Sequence, residues 1–200
     1  MWSLLTASWA LCTPQSPPLL PLRVVAFPGA SPLLVSTSVT ASRVILIHRS
    51  AEGRLASVGA EASAEQVAPG VLRCTPVARC RVGDSSITPV VDATDADAEF
   101  DDTAEEAARV WQLLQEVAEL SEQSITIPTH VRALAPSSAD ASTHAEFSLA
   151  VCSLLELAPS QQQLLLECTC TGERLASLSE RLAGARDFLA ARRALSSLGL

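Results

Sequence analysis

The segment AEFSLAVCSLLELAPSQQQLLLECTCTGERLASLSERLAGARDFLAARRAL, Ala145 to Leu195, constrains the fold most, because helix start and stop signals divide it into three helices. Thr143 with Glu146 has capping-box spacing, which predicts a helix from about Ala145 to Leu157, stopped by Pro159. Ser160 with Gln163 repeats the signal and opens a second helix running through Leu164, Leu165 and Leu166 to about Glu167. Thr171 then caps a third, on which Leu175, Leu178, Leu182, Ala185 and Leu189 recur at steps of three and four. Such steps draw one apolar stripe along a helix face, and a stripe of that kind needs a partner. The natural partner is the face of Phe147, Val151 and Leu154 on the first of the three helices.

Upstream, the pattern changes from helical to extended. Leu22–Phe27 and Arg43–His48 are β-branched, apolar runs bounded by Pro, Gly and Ser, and each reads as a strand. Val71–Val82 is a third, with Cys74, Ala78, Cys80 and Val82 expected on one face and Arg73, Thr75, Arg79 and Arg81 on the other. Pro76 inside that run argues for an edge position or a bulge. Ile87–Val91 follows the turn at Gly83 and Asp84. Pro14–Pro21 (PQSPPLLP) reads as a stiff extended linker. Thr103 with Glu106 then caps a helix to about Leu120, its buried side carrying Ala107, Trp111, Leu114 and Ala118. Strands first and helices afterwards imply an α+β chain with the two kinds segregated.

Two patches resemble a known family. Phe147, Ser148, Ala150, Leu154 and Leu155, then Leu165, Leu166 and Glu167, then Glu173, Arg174, Leu175, Leu178 and Leu182 follow the order of the C-terminal helices of the LON domain. That domain is the substrate-binding module at the N-terminus of ATP-dependent Lon proteases. LPLRVVAFPGASPLLV, Leu20 to Val35, resembles the family's opening strand and its Phe-Pro-Gly turn. Between the patches the pattern thins: Arg43 lacks an aromatic neighbour, and VARCRV (Val77–Val82) has Cys80 at an aromatic position. The resemblance implies a β-rich, PUA-like pseudo-barrel lobe over 20–101 and an all-α lobe over 102–200, after a leader or linker at 1–19. It implies work without catalysis: binding unfolded or damaged polypeptides, in connection with a proteolytic system.

The residues present limit the chemistry. All 14 basic residues are Arg, so the chain has neither a lysine for nucleotide phosphates nor a catalytic lysine, both of which Lon's own activities need. No enzyme activity and no cofactor are therefore expected. A small Ser or Cys hydrolase using His48, His130 or His144 is the alternative from another class, and a structural helical scaffold is a third. Against the hydrolase, no G-x-S-x-G elbow occurs, and three scattered histidines read as surface or capping residues.

Metal sites are expected to be absent. Cys74, Cys80, Cys152, Cys168 and Cys170 include no C-x-x-C pair, so they read as reduced thiols and not as zinc ligands. Asp95, Asp97, Glu99, Asp101 and Glu106 fall on calcium-loop spacing, yet the position that needs glycine is Phe100. They read as a solvated loop whose last acids, Glu105 and Glu106, sit favourably at a helix N-terminus.

Charge and length set the remaining bounds. Eight carboxylates between Asp92 and Glu106 account for the net charge of -8, which works against phosphate binding and so against nucleic acid. No run of 18 apolar residues exists to make a membrane span. Residues 1–51 hold no acid, are rich in Ser and Thr, and contain three arginines, a composition suiting import into an organelle, plastid or mitochondrion, with the cytoplasm as the alternative.

Overall fold

In the computed structural model the described residues are 17–83, 86–90, 103–121, 126–136 and 141–197, with the backbone alone for 141, 142 and 197. Among them the chain is α+β, with strands in the N-terminal half and helices in the C-terminal half. The strands are β1 (Leu19–Leu22), β2 (Leu33–Ser36), β3 (Arg43–His48), β4 (Val58–Ala68), β5 (Val71–Val82) and β6 (Ile87–Pro89). The helices are α1 (Thr103–Leu120), α2 (Thr129–Ala133), α3 (Ala141–Cys152), α4 (Pro159–Glu167) and α5 (Thr171–Ser197).

One sheet runs in the order β1-β3-β4-β5-β2, with β6 also paired to β5. β1 is parallel to β3, whereas the other pairs are antiparallel. The first strand begins at Leu19, not at Leu22 as its composition suggests. Backbone bonds from Ile45 to Pro18 (2.8 Å) and from Arg49 to Leu22 (2.7 Å) hold the expected linker against β3, where an outer strand tolerates Pro21. The strand also ends earlier than its apolar run. From Arg23 to Phe27 the chain has left the sheet, and Ala26 and Phe27 turn inward.

Neither β2 nor β4 is read as a strand from the sequence, and β4 is the longer of the two. Its alanines and glutamates carry little strand propensity, yet pairing on both sides with β3 and β5 overrides that preference. Ala60 and Ala62 are fully buried there, and a Cβ on Gly59 would lie 2.5 Å from the Leu46 carbonyl oxygen, so close strand approach selects small residues. The turn into β5 is Pro69-Gly70, with Gly70 at φ 72°, which an L side chain rarely adopts.

Pro76 does mark a bulge. The register passes from Ala62 with Pro76 to Glu61 with Ala78, leaving Val77 as the extra residue. The bulge shifts the alternation by one residue, so Arg79 shares the face of Cys74 while Cys80 points the other way. The expected grouping of Cys74 with Cys80, and of Arg79 with exposed Arg73, is therefore incorrect beyond Val77.

The interior has two parts. Within the β half, Leu20, Ala26, Val44, Leu46, Ala60, Ala62, Leu72 and Cys74 pack together. A second cluster joins α1, α2, α3, α4 and α5, and Phe27 and Val58 extend it into the β half. Leu175, Leu178 and Leu182 lie in the same cluster as Phe147 and Val151, with Leu154 packed against it, although α5 packs chiefly along α1. The stripe is buried only that far, for Ala185 is exposed and Leu189 half-buried. On α1, Ala107 and Leu114 are buried as expected, together with Val110 and Leu113; Trp111 and Ala118 are half-buried and pack against the cluster.

Two helix starts differ from the sequence reading. α3 begins at Ala141, which places Thr143 inside the helix, and it ends at Cys152 with turns through Leu155. α4 begins with Pro159 after Ala158, without a side-chain cap. A proline in the first turn lacks only an N–H that the helix leaves unbonded. Gln163 is consequently free for a contact with the sheet.

Candidate functional site

The seam between the halves is held by polar side chains reaching for backbone carbonyls. Arg79 Nη1 on β5 donates to Leu166 O (2.9 Å) and Cys168 O (2.6 Å), at the end of α4. Gln163 Nε2 donates to Val58 O on β4 at 3.0 Å and to Glu167 Oε1 at 2.9 Å. Arg174, fully buried on α5, donates to Cys168 O (2.7 Å) and Ser148 Oγ (2.7 Å). The α4–α5 connection is thus gripped from both sides. Carbonyls near a helix C-terminus have no intrahelical donor, so these arginines satisfy groups that burial would otherwise leave unbonded.

Beside this seam lies a groove of about 190 Å³. Its β side comes from the β1–β2 connection and the start of β2: Val25, Ala26, Phe27, Ala30, Ser31 and Leu33. Its helical side is His130 of α2, Ser153 and Leu154 after α3, and Gln162 of α4. The floor is apolar and sequestered, with Phe27 1% exposed, whereas Ser31 is open to solvent. Gly29 gives the connection its bend, at φ 75°, and donates its N–H to Pro76 O at 3.3 Å, which fastens the loop to the bulge in β5. The volume falls below the roughly 300–1,000 Å³ typical of small-molecule pockets, so the groove suits one or two side chains of a larger ligand. A second depression, about 400 Å³, lies between α1 and the region of α2, lined by Trp111, Gln115, Ala118, Glu119, Ile127 and Arg132.

His130 lines the groove with Ser31 and Ser153, but among the described residues its buried Nε2 has no hydrogen-bond partner, and Ser153 Oγ donates to Ala150 O at 2.6 Å. His48 ends β3, His130 lies on α2 and His144 on α3, and both ring nitrogens of buried His144 lack a hydrogen-bond partner among the described residues. Cys74, Cys80, Cys152 and Cys168 are held in their protonated form. Burial pushes Cys152 up to about 12 and Cys80 up to about 11, the latter helped by the Glu61 carboxylate, and it also raises Cys74 and Cys168. A protonated thiol is a poor nucleophile and a poor metal ligand. Among the described residues no three His, Cys, Asp or Glu side chains gather at metal-binding distance. Asp95, Asp97, Glu99, Phe100 and Asp101 lie outside the described residues, while Glu105 and Glu106 occupy the first turn of α1.

No family model matches the chain, and no curated protein matches it. Among solved structures, a Lon N-terminal domain protein from Xanthomonas campestris is similar, at 20% identity and a TM-score of 0.48, over 81% of this chain and 95% of that one. A likeness of that degree establishes no family, activity or ligand. Among the described residues no helix is long and apolar enough to cross a membrane.

The groove was not legible as a site in the sequence. Its walls are separated by about a hundred residues, and although His130, Ser31 and Ser153 are of catalytic type, no spacing in the sequence links them. The one signal was the Phe-Pro-Gly turn within Leu20–Val35, the stretch that supplies the whole β side.

Proposed function

We propose that this chain is a non-enzymatic polypeptide-binding module that takes up apolar side chains of unfolded or damaged segments in the groove between its halves. The observation carrying this reading is the groove itself: Val25, Ala26, Phe27, Ala30, Leu33 and Leu154 supply an apolar lining, interspersed with Ser153, Gln162 and His130, and Ser31 lies exposed at its edge. An apolar concavity with a few polar groups in its lining suits side chains that a folded client would keep buried. The resemblance of Leu20–Val35 and of the last helices to the LON domain points the same way. A structural scaffold would not need this concavity, and the raised thiols disfavour cysteine hydrolysis.

The test is fluorescence anisotropy with fluorescein-labelled, reduced and carboxymethylated α-lactalbumin, using folded α-lactalbumin as the competitor. Saturable binding of the unfolded form, little competition by the folded form, and loss of binding in Ser31→Trp support the reading. Ser31 is exposed at the rim, so a bulky side chain there fills the groove without entering the core. Absence of binding by the unmodified chain overturns it.

A further inference from the structure

We propose that the free edge of β2 is a strand-addition site, where an extended, largely apolar polypeptide segment pairs its backbone with Leu34 and Ser36 and continues past Leu33 into the groove. The proposal rests on the polypeptide-binding reading and specifies how the segment is held.

The register of β2 fixes which way its backbone groups point. Leu33 pairs with Cys74, Leu34 with Arg73, Val35 with Leu72 and Ser36 with Val71. The next residue, Thr37, donates its N–H to Gly70 O at 2.9 Å, which makes Thr37 and Gly70 a hydrogen-bonded pair. In an antiparallel ladder bonded and non-bonded pairs alternate, so Leu33, Val35 and Thr37 bond to β5. Leu34 and Ser36 must then direct both N–H and C=O away from β5. No strand covers that side among the described residues.

The sheet's edges are not equivalent. β1 carries Pro21 and β6 carries Pro89, which removes a donor from each. β2, with the sequence LLVS, has neither a proline nor a charge, although proteins commonly use both to protect exposed edges. Leu34 is 69% exposed, the highest value among the large exposed apolar side chains, and its neighbour Leu33 lines the groove. The partner this edge suits is therefore an extended backbone with apolar side chains where it meets Leu34 and the groove beside Leu33. Such a ligand gains affinity from main-chain bonds and selectivity from side-chain pockets.

Leu34→Pro is the direct test, because it removes an outward donor and no bond to β5, whereas Leu34→Thr keeps the donor. Each is assayed for binding of carboxymethylated α-lactalbumin and of a labelled peptide of alternating Val and Thr, together with that peptide N-methylated at every residue, so that both of its edges lose their donors. Loss of even one net backbone bond predicts roughly fivefold weaker binding for Leu34→Pro and for the methylated peptide, with Leu34→Thr close to the unmodified chain. Should Leu34→Pro fail to fold, as read by circular dichroism, the methylated peptide decides the question on the unmodified chain. Binding lost in Ser31→Trp but unaffected by Leu34→Pro and by N-methylation overturns strand addition and leaves the proposed function standing. A chain that binds no unfolded polypeptide overturns both. Self-association in sedimentation equilibrium that Leu34→Pro abolishes, with peptide affinity unchanged, assigns the edge to a second copy and overturns the proposal.

Discussion

Replacing Arg79 with methionine probes the seam on which the groove depends. The substitution keeps an apolar stem of similar length and deletes a guanidinium that donates to Leu166 O at 2.9 Å and to Cys168 O at 2.6 Å. Hydrogen bonds from charged donors contribute about 1.5–3 kcal/mol each. The loss is not their simple sum. Cys168 O retains Arg174 Nη1 at 2.7 Å, and removing a charge that is 4% exposed also removes its desolvation cost. What remains is chiefly the unbonded Leu166 carbonyl and the lost tie between β5 and α4, for a net destabilisation of about 2–4 kcal/mol. That is a large share of a stability of roughly 5–15 kcal/mol. Arg73→Met is the control. Arg73 is exposed and lies 3.5 Å from an exposed Glu65, a pair worth about 0–1 kcal/mol. Urea unfolding followed by far-ultraviolet circular dichroism measures both, and Arg79→Met should lower the midpoint clearly more. Equal losses would refute the seam as a stabilising element.

The leucine stripe of α5 gives a parallel test. Leu178 is fully buried, so Leu178→Ala should cost about 2–5 kcal/mol in the same unfolding assay, while Ser177→Ala, which loses only a 3.4 Å bond from Arg181, should change it little. The thiols predict an alkaline limit. A folded value raised from 9.0 to about 12 at Cys152 means that the folded state retains a proton that the unfolded chain releases. Its stabilising contribution is fully present below pH 9 and is lost progressively as pH rises towards 12, at up to about 1.4 kcal/mol per pH unit for that thiol. Cys152→Ala should flatten this decline in unfolding free energies measured from pH 8 to 11, and an unchanged slope would exclude Cys152 as its source.

The sequence by itself determined that strands precede helices, the extent of α1 and the burial of Leu175, Leu178 and Leu182. These are local properties, since helical period and strand propensity act within one element. Tertiary structure decided the rest. β4 exists because two neighbouring strands satisfy its backbone, not because its alanines favour extension. β1 begins at Leu19 because β3 supplies partners for a stretch that reads as a linker. Arg79 is buried because one extra residue, Val77, reverses the strand's alternation, and no periodicity in the sequence marks which face then meets α4. The groove has the same origin: nothing in the sequence links Leu33, His130, Leu154 and Gln162 to one another, and they become one surface only when Arg79 and Gln163 close the seam between the two halves.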